Sequence, residues 1–303
     1  MGSPDRAIPE FLVVICTRNR PQQLQGALAA LDAQTRRAFD VLVVDQSDTP
    51  DELLTARAAR DPRLTVVRDS GRGLSRARNV AARAASAEWL VYVDDDCLPE
   101  PDWSQRLAEA FAEHPEAAFV GGEVVGHNRA PEAEGLEYSV LPVGSPQLLA
   151  GRWVWPHRLG FGVCHAVRRS MVERLGGWDE RLGPGVAEFP ASDDMDFNFR
   201  LLRAGGQAYL TPAIRSHHEQ WRTRAEMIDL FEGYSASWAG FAIKTLRTGD
   251  PLGGLWLFGY GLADTLRMLA SAVKHRSRLR ARVAGKKARG LARGTRAALT
   301  RRW

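Results

Sequence analysis

The sequence predicts an α/β fold: a mainly parallel central sheet flanked by helices, with a helical extension at the C-terminal end. Two observations carry this. Short apolar runs rich in β-branched residues alternate with stretches of helical periodicity over residues 11–93. The runs are apolar throughout, as strands covered on both faces are.

Phe11-Leu-Val-Val-Ile-Cys16 reads as the first buried strand, bounded by Thr17-Arg18-Asn19-Arg20. Pro21 suits a first helical turn, and Leu24, Ala27, Leu28 and Leu31 follow at helical spacing. Residues 41–45 form a second strand, 51–60 a helix, 64–67 a third strand. Gly71-Arg-Gly73 breaks the chain before an Ala- and Arg-rich helix over 74–85. A fourth strand over 89–93 runs into Asp94-Asp95-Asp96. The order predicts right-handed parallel crossovers. Ligands on such sheets bind at the carboxyl ends of the strands. Thr17-Arg18, Asp45-Gln46-Ser47 and the acidic triplet therefore converge on one edge.

Residues 118–125 read as a strand, 126–156 as Pro- and Gly-rich loops, 163–167 as a strand and 170–175 as a short helix. Ser192 reads as the N-cap of a helix ended by Gly205-Gly206, with Asp193, Asp194 and Asp196 in its first turn. The organisation expected is a tail over 1–10, one α/β domain made of a first half over 11–125 and a second half over 126–222, a helical accessory region over 223–273 and a basic tail over 274–303. Residues 252–273 are apolar but interrupted by Asp264 and Arg267. They read as a helix on a membrane surface or one closing the core, not as a span.

Of 41 Lys and Arg residues, 12 fall in 274–303, where there is no acidic residue. The remaining 29 face 36 acidic residues, so the rest of the chain carries −7. A mildly acidic body argues against a nucleic-acid partner. The tail suits either an anionic membrane face or a solvated charged segment. Cys16, Cys97 and Cys164 are odd in number and far apart, which argues against disulfides or a zinc site. The expected location is the cytoplasm, with peripheral attachment to the inner membrane face as its extension. Residues 1–10 hold no apolar run and do not read as a secretory signal.

Three adjacent carboxylates repel one another and need a compensating cation. Alternation along a strand lets Asp94 and Asp96 share a face. Hard oxygen ligands suit Mg²⁺ or Mn²⁺, and a solvated acidic turn is the alternative. Gly71–Asn79 reads either as a plain turn before a helix or as a phosphate approach, with glycines exposing backbone amides and Arg76 and Arg78 as cationic donors. It is not a dinucleotide fingerprint. Asp196 and Arg200 can pair four residues apart, leaving Asp194 either to face a cleft and accept a hydroxyl proton or to serve only in capping and dipole compensation. His217 and His218 read either as a nitrogen ligand or as surface polar residues.

Taken in order, Thr17-Arg18-Asn19-Arg20-Pro21, Val-Val-Asp45-Gln-Ser-Asp48, Gly73-Leu-Ser-Arg-Ala-Arg-Asn79, Val93-Asp-Asp-Asp96, Ala166-Val-Arg-Arg-Ser-Met-Val-Glu-Arg-Leu-Gly-Gly-Trp-Asp-Glu180 and Ser192-Asp-Asp-Met-Asp-Phe197 resemble the family 2 glycosyltransferases. The resemblance covers about residues 10 to 248. Asp193 stands where the family usually has Glu, Ser192 where it often has Gly, and Cys164-His165 where a small residue and Asn are commoner.

The resemblance implies a GT-A, Rossmann-like fold and a metal-dependent, inverting transfer of a sugar from a UDP- or dTDP-linked donor to an acceptor hydroxyl of a glycan, a lipid-linked molecule or a small molecule. It implies Asp194 as the base. Thr17, Arg18, Asp45, Gly73, Arg76, Arg78, Asp94 and Asp95 would hold the nucleotide donor. Trp178, Asp179 and Asp193 would face the acceptor. Asp96 with His217 or His218 would bind Mg²⁺ or Mn²⁺. The competing readings are a catalytically inactive nucleotide-binding scaffold and a nucleotidyltransferase. The latter would need a lysine- and glycine-rich loop after the first strand, where Arg18-Asn-Arg-Pro21 offers none.

Overall fold

A computed structural model describes residues 11–128, 139–160 and 162–303. The chain divides into two compact units. The first is built on a nine-stranded sheet with the order β3-β2-β1-β4-β8-β6-β9-β5, and β7 pairs with β9. Its strands are β1 (Phe11–Thr17), β2 (Asp40–Asp45), β3 (Leu64–Arg68), β4 (Trp89–Asp94), β5 (Cys97–Pro99), β6 (Ala117–His127), β7 (Gln147–Leu149), β8 (Cys164–Arg168) and β9 (Gln207–Glu219). The helices are α1 (Pro21–Asp32), α2 (Glu52–Ala58), α3 (Leu74–Ala84), α4 (Trp103–Glu113), α5 (Arg169–Leu175) and α6 (Asp193–Arg203).

Strands β3, β2, β1 and β4 are parallel neighbours, as the alternating pattern predicts. Val13, Ile15, Val43 and Val91 enter one core; Val14, Leu42, Val44, Leu90 and Tyr92 enter the other. The apolar positions of β1, β2 and β4 meet apolar neighbours on both faces of the sheet, which is why the runs do not alternate. The helix starts follow their local chemistry. Pro21 opens α1, and Asp51 caps α2 by accepting from Leu53 N at 2.9 Å and Leu54 N at 3.1 Å. Gly205, at φ +80°, ends α6 with Gly206 N donating to Leu201 O at 2.9 Å. Ser192 precedes that helix at φ +67°, outside the extended conformation expected of an N-cap.

Sequence periodicity did not reveal that β8 enters the sheet antiparallel to both β4 and β6. Nor did it reveal β5 and β7, three residues each, or the full length of β9.

The second unit comprises residues 179–193 and 222–303 of the described chain. It contains α7 (Arg224–Arg247), α8 (Pro251–Lys274) and α9 (Arg278–Thr300), which pack on one another. Thr223 and Glu226 form a reciprocal capping box at the start of α7, while Asp250 and Ser277 cap α8 and α9. The basic segment is thus a folded helix and not a free tail. None of the described helices is long and apolar enough to cross a membrane.

Candidate active site

Strand register builds the site. Thr17 on β1 lies opposite Asp45 on β2, and Cys16 lies opposite Asp94 on β4. The three strand ends therefore meet at one edge. Two loop clips hold it: Arg18 Nη2 donates to Asp48 at 2.7 Å, and Asn19 Nδ2 donates to the same carboxylate at 2.7 Å.

The acidic triplet is split by role. Asp94 is the last residue of β4, and Asp95 and Asp96 turn out of the strand, so the expected alternation between Asp94 and Asp96 does not hold. Asp94 lies 3.7 Å from the Arg78 guanidinium. Asp95 accepts from Thr17 Oγ1 at 2.7 Å. Arg20 forks across the other two carboxylates, reaching Asp95 at 2.5 Å and Asp96 at 2.8 Å. The compensating cation demanded by adjacent carboxylates is thus present in the chain itself. Burial pushes the Asp95 carboxyl up to about 6, against the pull of Arg20. Burial acts on Asp96 in the same direction, but His218, Arg20 and the Trp221 indole outweigh it and hold its carboxyl below the ordinary value.

Strand β9 separates the two histidines, since neighbours point to opposite faces. His218 Nε2 lies 3.5 Å from Asp96 Oδ1, whereas His217 Nε2 lies 3.2 Å from Glu100. His217 is therefore not beside the triplet. The amide of Gln220 lies 3.1 Å from His218 Nδ1 and orients the ring. Trp221 Nε1 donates to Asp96 at 3.1 Å, and the Arg20 guanidinium sits 5.3 Å from the Trp221 ring. Arg20, Gln220 and Trp221 were not singled out from sequence. Arg20 stood within the strand-end segment Thr17–Arg20, but nothing in its spacing tied it to the triplet.

Among the described residues no three His, Cys, Asp or Glu side chains gather as a metal cage. Asp96 and His218 nevertheless fit a small divalent ion as a pair. Their 3.5 Å separation is a little wider than the roughly 3 Å between neighbouring ligands around such an ion. Mg²⁺ in particular is usually held by one or two protein groups together with substrate phosphates and water.

The donor-side residues are more tied down than their spacing suggests. Asp45 is buried, accepts from Ser47 N at 2.8 Å and forms an ion pair with Arg68. Arg76 holds Asp69, its Nη2 at 2.8 Å, and hydrogen bonds to Arg76, Gln46 and Gly71 bring the Asp69 carboxyl down to about 2 despite burial. Gly73 adopts φ +119°, and Gln46 brackets its backbone, with Gly73 N donating to Oε1 at 3.0 Å. Arg78 is 2% exposed; its Nη2 donates to Gly162 O at 2.8 Å.

Gly162 also locates Asp194. A Cβ there would lie 3.1 Å from Arg78 Nη2 and 3.1 Å from Asp194 Cβ. Asp194 therefore stands beside the guanidinium that faces Asp94. Asp196 pairs with Arg200 at 2.8 Å as its spacing predicts, and Arg200 also donates to Gly177 O at 2.9 Å, bracing the turn before Trp178.

The acceptor-side expectations fare differently. Trp178 is buried, stacked on Phe197 at 4.2 Å and edge-on to Tyr92 at 4.8 Å, so its ring belongs to the core. Asp179 and Asp193 fall in the second unit. Asp193 is buried against Gly183. Asp179 pairs with Arg181 at 2.8 Å and Lys244 at 2.6 Å; despite burial these hold its carboxyl well below the usual range. His165 is stacked between Tyr92 and Phe119, and burial, reinforced by Arg78, lowers its imidazole to about 3. All three cysteines are free, and burial raises the Cys16 and Cys164 thiols to about 12.

Because Asp179 and Lys244 are both buried, Asp179→Asn should cost about 3 kcal/mol in urea unfolding, by taking the buried carboxylate away from Lys244 and Arg181. The folded carboxyl titrates below its unfolded value of about 3.9. The stabilisation is therefore present above that pH and lost as pH falls toward the folded value. The variant's deficit should shrink accordingly in acid.

The Glycosyl transferase family 2 model matches residues 12–176. The chain belongs to this family. It is 24% identical over 194 residues to an uncharacterized glycosyltransferase of Haemophilus influenzae, covering 63% of this chain and 61% of that protein. It is also 24% identical over 241 residues to the glucosyl-dolichyl phosphate glucuronosyltransferase of Haloferax volcanii, covering 77% and 76%. The chain thus spans less than two-thirds of the Haemophilus relative. The crystal structure of GalNAc-T7 with UDP, GalNAc and Mn²⁺ shares the fold, at TM-score 0.55 and 17% identity over 77% of this chain and 48% of that one. The glycosyltransferase family and its GT-A fold are therefore those the motifs imply.

Proposed function

We propose that the protein transfers a sugar from a pyrimidine nucleoside-diphosphate donor to an acceptor hydroxyl, with inversion at the anomeric carbon. The observation that carries this reading is the meeting of Thr17, Asp45, Asp94, Asp95 and Asp96 at one sheet edge, with Asp194 beside Arg78. Thr17, Arg18 and Asp45 lie on the nucleotide side. Asp45 has acceptor capacity beyond Arg68 and Ser47 for a base N–H, because a carboxylate offers about four lone-pair positions. Gly73, Arg76 and Asp69 set the loop that borders it.

In the reaction the acceptor oxygen attacks the anomeric carbon, the bond from that carbon to the diphosphate oxygen breaks, and Asp194 takes the hydroxyl proton. Arg78 lends Asp94 and Asp194 a fixed positive neighbour in a water-poor setting. Asp96 and His218 would hold Mg²⁺ or Mn²⁺; that ion, when bound, supplies positive charge to the departing diphosphate. GalNAc-T7 was solved with UDP and Mn²⁺, which supports the choice of donor and ion here. The complete acidic set argues against an inactive scaffold.

Thermal unfolding with UDP, dTDP, ADP and GDP, each with and without Mn²⁺, tests this reading. UDP or dTDP with Mn²⁺ should stabilise the protein by about 2.7 kcal/mol at a hundredfold excess over Kd, and the purine nucleotides should not. Absence of any shift with the pyrimidine diphosphates would end the proposal.

A further inference from the structure

Helix α8 is built inside out. Gly253, Gly254, Leu257, Thr265 and Ala272 are its buried positions. Leu252, Leu255, Leu262, Leu266, Leu269 and Val273 are between 45% and 72% exposed. These six recur at spacings of three, four and seven, so they form one continuous stripe along the helix. The inward face must be bare for α8 to approach α7. A Cβ on Gly254 would lie 2.5 Å from the Leu246 backbone nitrogen. Helix α9 closes on α7 in the same way: a Cβ on Gly290 or Gly294 would lie 2.2 Å from a carbonyl oxygen of α7. Apart from Leu257, small residues line the inside of α8 and large apolar residues its outside, a pattern that suits helices whose outer face meets hydrocarbon. An exposed apolar stripe of this length marks an interaction surface.

The charge beside the stripe has one sign. Residues 274–303 carry 12 Lys and Arg and no acid. Lys286 pairs with Asp229 on α7, and Lys287 pairs with Asp264 on α8. Arg278, Arg296 and Arg302 are exposed, and no ion pair among the described residues engages them. A groove of about 820 Å³ runs between α8 and α9, lined by Leu262, Leu266, Leu269, Ala288 and Ala292, with Arg296 in its wall. Apolar walls with a cation alongside suit a hydrocarbon chain that ends in a phosphate.

We propose that the α8–α9 face docks the protein on an anionic lipid bilayer, with the leucine stripe among the acyl chains and the arginines at the headgroup phosphates. A second copy of the chain is the weaker occupant. It would bring the 12 cations of one basic segment toward those of the other, whereas an acidic membrane supplies the opposite charge. The proposed contact is that of helices lying on the membrane surface.

Flotation of the full chain with vesicles tests this. The protein should float with phosphatidylcholine–phosphatidylglycerol vesicles and not with phosphatidylcholine alone, and added salt should reduce the bound fraction. The combined Arg278→Gln, Arg296→Gln and Arg302→Gln variant should bind about a hundredfold more weakly, about fivefold per cation. The combined Leu262→Ser, Leu266→Ser and Leu269→Ser variant should cease to float while keeping the wild-type circular dichroism melt. Should the leucine variant melt early, the arginine variant, changed only at exposed positions, decides. Failure to float with acidic vesicles would overturn the proposal. So would flotation untouched by the arginine changes, or a concentration-dependent dimer, abolished by the leucine changes, that binds no vesicles.

Discussion

Asp194→Asn is expected to retain nucleotide binding and to lower kcat by about 10²–10⁴-fold, the span general-base catalysis covers. Asparagine keeps the size of the side chain beside Gly162 and removes its charge together with its capacity to take a proton. The variant should keep the same nucleotide-induced thermal shift as the native protein, because Asp194 lies on α6 and not at the strand ends proposed to hold the nucleotide. KM for the donor should change little. Single-turnover transfer with saturating donor and acceptor is the deciding measurement. Turnover within about threefold of the native rate would remove Asp194 from the role of base, since losing a proton acceptor costs at least tenfold more. A matched loss of binding and rate would instead indicate that Arg78, deprived of a charged neighbour, had moved.

The route from sequence to site was direct where strands are apolar and parallel. Phe11–Thr17, Asp40–Asp45 and Trp89–Asp94 each declare themselves by composition, and parallel neighbours must bring their carboxyl ends to one edge. Thr17, Asp45 and Asp94 could therefore be placed together before any coordinates. The second half was opaque for a physical reason. Strand β9 contains Pro212, Arg215, Ser216 and two histidines, and it is a strand because β5, β6 and β7 pair with it. Only that pairing decides that His218 and not His217 faces Asp96. Arg20 was hidden similarly: 75 residues separate it from Asp95, and only the turn after β4 brings them together. Trp178 shows the opposite limit. Its position in a motif suggested an acceptor contact, but an indole stacked on Phe197 contributes by burial. In α8, composition reads as an apolar helix that either lies on a membrane surface or closes the core, and composition alone cannot tell which way its leucines face.

Asp96→Asn should abolish the Mn²⁺ dependence of nucleotide binding and lower transfer by about 10²–10³-fold, the range typical for loss of one electrostatic contact to a developing charge. The substitution removes the anionic oxygen that faces His218 Nε2, leaving imidazole as the one remaining partner for a divalent ion. Neutral amide oxygen is a far poorer ligand for such a hard cation. Arg20 then makes the outcome informative. In the native chain it divides its fork between Asp95 and Asp96; in the variant it retains Asp95 and faces an uncharged group at 96. Some metal-independent nucleotide affinity should therefore survive, because a guanidinium released from one carboxylate can approach the diphosphate. Combining Asp96→Asn with Arg20→Met should remove that residue of binding as well. Isothermal titration of UDP or dTDP with and without Mn²⁺ separates the cases. If Asp96→Asn kept a native Mn²⁺ response, the ion would have to be held elsewhere; if the double variant bound as well as the single one, Arg20 would serve only to neutralise the triplet.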